Sequence, residues 1–127
     1  MSPELIPFVI LTITTTAAAL GLYLFALFLQ RRRPAKLILG AHILLGMAGL
    51  EQVAVLIRGA GPSGAAAAGR FGTAAAGLFA LSLFSGFVAP IVAQRSKQGG
   101  IALLYSHVGL GLAGFASLLI WFGSFAM

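Results

Sequence analysis

Four long apolar stretches, each closed by a short polar or glycine-rich break, organise the chain. They run over about 5–29, 35–57, 71–93 and 101–125. An α-helix needs about 20 apolar residues to cross the hydrocarbon layer of a bilayer, and all four stretches reach that length. The pattern predicts an all-α membrane protein: a single four-helix transmembrane bundle over residues 1–127. Pro3 and Pro34 fall at or just before helix starts, where a missing N–H costs little. Pro90 lies inside the third stretch near its end and predicts a kink there. Met1-Ser2-Pro3-Glu4 places an acid where a removable signal peptide carries bases, so the first stretch reads as a span rather than a leader.

Composition strengthens the membrane reading. The chain is 60% hydrophobic and only 8% charged, against about 25% charged residues in soluble domains. So apolar a chain cannot hide its side chains in its own core, so they must face lipid, other membrane subunits or further copies of the chain. There is no cysteine, which removes disulfides, thiolate metal sites, iron–sulfur clusters and covalently attached haem.

The net charge of +6 reports orientation rather than nucleic-acid binding. Arg31, Arg32, Arg33 and Lys36 lie between the first two stretches, and Arg95 and Lys97 between the last two. Those breaks share one side, and only Arg58 and Arg70 mark the other. The positive-inside rule makes the basic side cytoplasmic, with both termini outside, in a multi-pass protein of the cell's inner membrane. Trp121 is expected at the outer interface, where an indole is at home.

The break from Arg58 to Arg70 contains Gly59, Gly61 and Gly64 in the order of a dinucleotide-binding loop. No strand precedes it and no acid follows at the required distance, so it reads as a flexible outer connection. A second pattern is an internal echo. His42-Ile-Leu-Leu-Gly-Met-Ala-Gly49 aligns with His107-Val-Gly-Leu-Gly-Leu-Ala-Gly114, and Gln30-Arg31 with Gln94-Arg95 if one inserted residue is allowed. Two helices per unit would give two parallel repeats related by an axis along the membrane normal.

The histidines carry the candidate chemistry. Counted from the expected helix starts, His42 and His107 lie at a common depth, roughly 10 Å in from the basic side. In an up-down-up-down bundle they sit on diagonal helices roughly 12–14 Å apart, a gap that two imidazoles and one iron would fill. Positions four and seven residues on return to the histidine face. They are Gly46 and Gly49, and Gly111 and Gly114, which would leave clearance for a flat macrocycle. Arg31, Arg33, Lys36, Arg95 and Lys97 are candidates to meet anionic propionates. Two neutral imidazoles and no cysteine allow one noncovalent, bis-histidine b-type haem. A chlorophyll-type pigment is the alternative cofactor, and histidines that only bond across helices would need none.

Four spans with His42 and His107 facing one another resemble the small four-helix transmembrane b-type cytochromes. The resemblance implies haem b and electron transfer. The two-haem members use four histidines on two sides of the membrane, whereas this chain has two on one side. It therefore implies electron exchange with a quinone or a partner subunit rather than transfer across the whole bilayer.

Glu51 is the only acid inside a span, on the helix face opposite His42. A carboxylate facing lipid is costly, so it is expected to be neutralised or covered. With Gln52 beside it, it is a candidate proton or quinone contact. Rival functions are a structural or assembly subunit of a larger membrane complex, and a small cation exporter, whose essential acid would lie in the first helix rather than the second. A hydrolase is poorly supported, since the chain has no aspartate and so no Ser/His/Asp set.

Overall fold

The computed structural model describes residues 5–59 and 64–126. The chain forms α1 (Leu5–Leu29), α2 (Lys36–Gly59), α3 (Gly64–Ala93) and α4 (Lys97–Ala126). Each is long and apolar enough to cross a membrane, so the protein is a multi-pass, all-α membrane protein. Neighbouring helices pack in ring order, α1 on α2, α2 on α3, α3 on α4 and, most loosely, α4 on α1. This is the expected four-helix bundle with α2 and α4 on a diagonal.

The helix ends differ from expectation where local chemistry overrides hydrophobicity. α4 starts at Lys97, one turn before the expected Ile101. Ser96 is its N-cap: its hydroxyl oxygen accepts the Gly99 N–H at 3.0 Å, and that cap pulls a polar, glycine-containing turn into the helix. α3 begins at Gly64, so part of the expected outer loop is helical, with a break at Gly69 (φ 61°, ψ −174°). Glycine tolerates that backbone because it has no Cβ. The break in helical backbone falls at Gly69, while Pro90 lies within the last turn of α3. Ala60 to Ser63, and with them the middle of the Gly59–Gly64 pattern, lie outside the described residues, as does Pro3.

α1 ends in a Schellman arrangement. The Arg32 N–H donates to the Leu27 carbonyl at 2.9 Å and the Arg31 N–H to the Phe28 carbonyl at 3.0 Å. The position usually held by glycine is Arg31, with φ 56°, a left-handed conformation that costs an L-residue roughly 1–2 kcal/mol. A charged residue thus occupies the turn against backbone preference.

The buried core sits at the end of the bundle away from the basic turns. Ile10, Val53 and Leu118 are fully buried there, joined by Ala75, Trp121 and Phe122. Trp121, near the outer end of α4, stacks on Phe122 (centroids 5.1 Å, interplanar 28°) and is buried against its neighbours, so its ring turns into the bundle. The outside carries large apolar side chains, among them Phe8, Leu37, Leu44 and Phe84, as a lipid-facing surface requires.

At the basic end the α3–α4 hairpin is drawn tight at Gly100. A Cβ there would stand 2.8 Å from Ala93 Cα and 3.1 Å from the Ala89 carbonyl oxygen. Both obstacles are backbone and cannot swing aside. Gly100→Ala is expected to destabilise the bundle by about 1–3 kcal/mol, the usual penalty of overpacking. Thermal unfolding in detergent checks this, and an unchanged midpoint would contradict so close an approach.

Candidate functional site: a histidine pair on a shared cavity

His42 on α2 and His107 on α4 meet across the middle of the bundle. Their ring centroids are 5.8 Å apart and the ring planes stand at 90°. Both line a cavity of about 320 Å³, at the lower end of the volumes typical of ligand pockets. Its wall is mainly apolar, with Leu22, Phe25, Leu39, Phe87, Leu104 and Phe115 among the contributors. Phe25 of α1 also meets Tyr105 of α4 edge to face (5.4 Å, 85°), closing the loosest seam of the ring.

Each histidine is held the same way. His42 Nδ1 lies 2.9 Å from the Ala17 carbonyl oxygen on α1. His107 Nδ1 lies 2.7 Å from the Ser82 carbonyl oxygen on α3. A carbonyl can only accept, so both Nδ1 atoms carry the proton. In the neutral imidazole, Nε2 then keeps its lone pair. In each case the acceptor lies 25 residues before the histidine.

A helix carbonyl is normally engaged along the axis and screened from the side. The side chain four residues on leans back over that turn. Here the residue four after Ala17 is Gly21, and the residue four after Ser82 is Gly86. A Cβ on Gly21 would stand 2.7 Å from His42 Cε1, and one on Gly86 would stand 2.7 Å from His107 Nδ1. The two glycines form the bed on which the imidazoles lie, and they leave the carbonyls open to a second donor.

The internal echo therefore extends beyond the stretch first aligned. The shift that carries His42 onto His107 also carries Ala17 onto Ser82, Gly21 onto Gly86 and Thr14 onto Phe79. The last pair have equivalent contacts, since Thr14 lies against Gly49 and Phe79 against Gly114. The α1–α2 and α3–α4 hairpins are two copies of one arrangement. They differ at Ser82, whose hydroxyl donates to the His107 carbonyl at 2.9 Å and lies 3.2 Å from Nδ1 of the same ring. Ala17 offers no such group to His42.

The structure sorts the remaining candidates. Gly46, Gly49 and Gly111 line the cavity, but Gly114 does not. A Cβ at Gly49 would meet Thr14 at 3.0 Å and one at Gly114 would meet Phe79 at 2.9 Å. These two glycines thus bring paired helices close, whereas Gly46 has open space beside it. Arg31, Arg33, Lys36, Arg95 and Lys97 are exposed at the basic end, and none lines the cavity. Glu51 is exposed on the outer face of α2, and neither it nor Gln52 reaches the cavity.

Sequence reasoning missed Ala17, Gly21, Ser82 and Gly86. The available signal was small-xxx-small spacing, Ala17-xxx-Gly21 and Ser82-xxx-Gly86, in equivalent positions of the first and third spans. Among the described residues no three histidine, cysteine or acidic side chains converge as a metal cage. No protein family, curated protein or solved structure matches the chain.

Proposed function

We propose that this protein is a membrane electron-transfer protein or cytochrome subunit in which His42 and His107 hold one b-type haem. The observation that carries the reading is the shared anchoring of the pair, each Nδ1 within hydrogen-bond distance of a helix carbonyl. Each Nδ1–H is committed to a helix carbonyl, so two Nε2 lone pairs are left at one cavity. Both rings line the same cavity, so in neutral rings the two Nε2 atoms are available as metal donors. Metal-bound histidines commonly have their other ring nitrogen held in this way.

The donor count fits the group. Two imidazoles alone make a poor cage for a bare ion, whereas a haem, which brings its own ring nitrogens, would need from the protein only the two that His42 and His107 could supply. A metal held by both imidazoles through bonds of about 2 Å would put the ring centroids roughly 6 Å apart. The observed separation is 5.8 Å. An imidazole can rotate about its metal bond, so perpendicular rings are compatible with ligation.

When bound, haem supplies reversible one-electron oxidation and reduction. The chain's own residues do the rest. The Ala17 and Ser82 carbonyls orient the imidazoles and raise their donor strength, and the apolar wall excludes water. Arg31, Arg33, Lys36, Arg95 and Lys97 lie outside the cavity and would meet propionates only where these reach the basic end, the cytoplasmic side by the positive-inside rule. A quinone or a partner subunit would exchange the electron.

The test is an absorption spectrum of detergent-purified protein, oxidised and then reduced with dithionite. A sharp reduced band at the b-type position is the expected result. Protein that stays colourless when made with ample haem would overturn the reading and leave a structural subunit. Red-shifted bands would move the site to a chlorophyll-type pigment.

A further inference from the structure

The two halves of the histidine site are built on one plan and finished differently. The Ala17 and Ser82 carbonyls are open because a glycine stands four residues on, and the same device recurs at the histidines themselves. Gly46 stands four residues after His42 and Gly111 four after His107, so no side chain leans back over either histidine's own carbonyl. At His107 that opening is filled. The Ser82 hydroxyl donates to the His107 carbonyl at 2.9 Å, and a Cβ on Gly111 would stand 3.1 Å from Ser82 Oγ. At His42 it is empty: Ala17 has no hydroxyl, and a Cβ on Gly46 would meet nothing.

The consequence is unequal restraint of the two rings. His107 donates from Nδ1 to the Ser82 carbonyl at 2.7 Å, with the Ser82 hydroxyl oxygen 3.2 Å from the same nitrogen. The hydroxyl ties the His107 backbone to α3 as well. The Ser82 carbonyl is held in its turn, since the Ser85 hydroxyl donates to it at 2.9 Å. Both serines are buried, away from competing water. In the first half Leu20 stands where the second has Ser85. Among the described residues the His42 side chain has one hydrogen bond, to the Ala17 carbonyl at 2.9 Å. α3 and α4 are also the most closely packed pair of helices, which stiffens the His107 side further.

We propose that Ser82 is a positioning residue that makes His107 the fixed member of the pair and leaves His42 the ring that swings out. One consequence rests on the haem reading given above. His42 is then the ligand that a small neutral molecule of the carbon monoxide class displaces from reduced iron. In that exchange the bond from His42 Nε2 to iron breaks and an iron–carbon bond forms. No electron is transferred, and His42 Nδ1 keeps its proton.

Ring release is measured on the cofactor-free protein, as exchange of each Nδ1–H with solvent read by NMR. The His107 proton is expected to exchange roughly 3- to 10-fold more slowly than that of His42, the difference one polar contact between spans makes. Ser82→Ala should bring His107 to the His42 rate, and Ala17→Ser should slow His42 by a similar factor. Ser117→Ala, which removes a hydroxyl of α4 bonded only to its own helix, should change neither. Equal rates in the parent protein overturn the proposal, as does a His107 rate unmoved by Ser82→Ala. In haem-loaded protein, carbon monoxide binding should slow roughly 3- to 10-fold in Ala17→Ser and hardly change in Ser82→Ala. The opposite pattern would make His107 the leaving ring and overturn the assignment. A protein that takes up no haem removes the cytochrome reading and the gas-ligand consequence with it, while the exchange rates still decide between the two rings.

Discussion

Replacing His42 or His107 by alanine is expected to abolish stable cofactor binding, with affinity falling more than about 100-fold. Loss of a group that merely orients a metal ligand already costs 10- to 100-fold, and in the proposed haem site the ligand itself goes. The effect on folding should be much smaller. Each histidine makes a bond to a carbonyl of a neighbouring helix, and such contacts between spans contribute about 0.6–2 kcal/mol. Titrating haem into the cofactor-free protein, with thermal unfolding of the same samples, separates the two quantities. Added imidazole should restore part of the spectrum in the alanine variants by entering the vacated space. A stability loss with no coloured species in the parent protein would make the histidines packing residues and remove the cytochrome reading.

The second large effect is expected from a methyl group. In Gly86→Ala the new Cβ would lie 2.7 Å from His107 Nδ1 and 2.8 Å from Cε1, well inside contact distance. The ring must lift, its bond to the Ser82 carbonyl breaks, and Nε2 is re-aimed. Gly21→Ala does the same to His42 through Cε1 at 2.7 Å. Cofactor affinity is expected to fall about 10- to 100-fold in each variant, the range for disturbing the group behind a metal ligand. Alanine is the better helix former by roughly 0.5–1 kcal/mol, so part of any stability loss is offset. Gly109→Ala, with open space around its Cβ, provides the control and should leave the spectrum unchanged. Nitrogen-15 histidine spectra of the cofactor-free variants would show whether the Nδ1–H tautomer has been lost. If Gly86→Ala kept both tautomer and affinity, the cradle would have no part in the site.

Much of this architecture follows from the chain read one residue at a time. Whether a segment can cross a bilayer depends on summed apolar transfer energy over about 20 residues, and that sum needs no partner. The four spans, the ring of basic residues at one end and the outward position of Glu51 follow from such local quantities and from helical periodicity. The echo of His42 in His107 was legible for the same reason: rare residues in equivalent register stand out against Leu, Ala and Gly.

What the tertiary structure alone decided concerns close approach between helices. Nothing in the hydrophobicity of Gly21 or Gly86 distinguishes them from Gly46 or Gly109. Only the crossing of α1 with α2, and of α3 with α4, places an imidazole on two of these glycines and empty space beside the others. The inward turn of Trp121 was hidden for a related reason, because hydrophobicity locates a residue along the membrane normal but not around the helix. The packing of Ile10, Val53 and Leu118 turned its ring inward. The start of α4 depended on one hydroxyl, Ser96, capping a turn that composition assigned to a loop. Burial energy adds up residue by residue and can be read along the chain. Contact geometry is a relation between segments, and it exists only once they have packed.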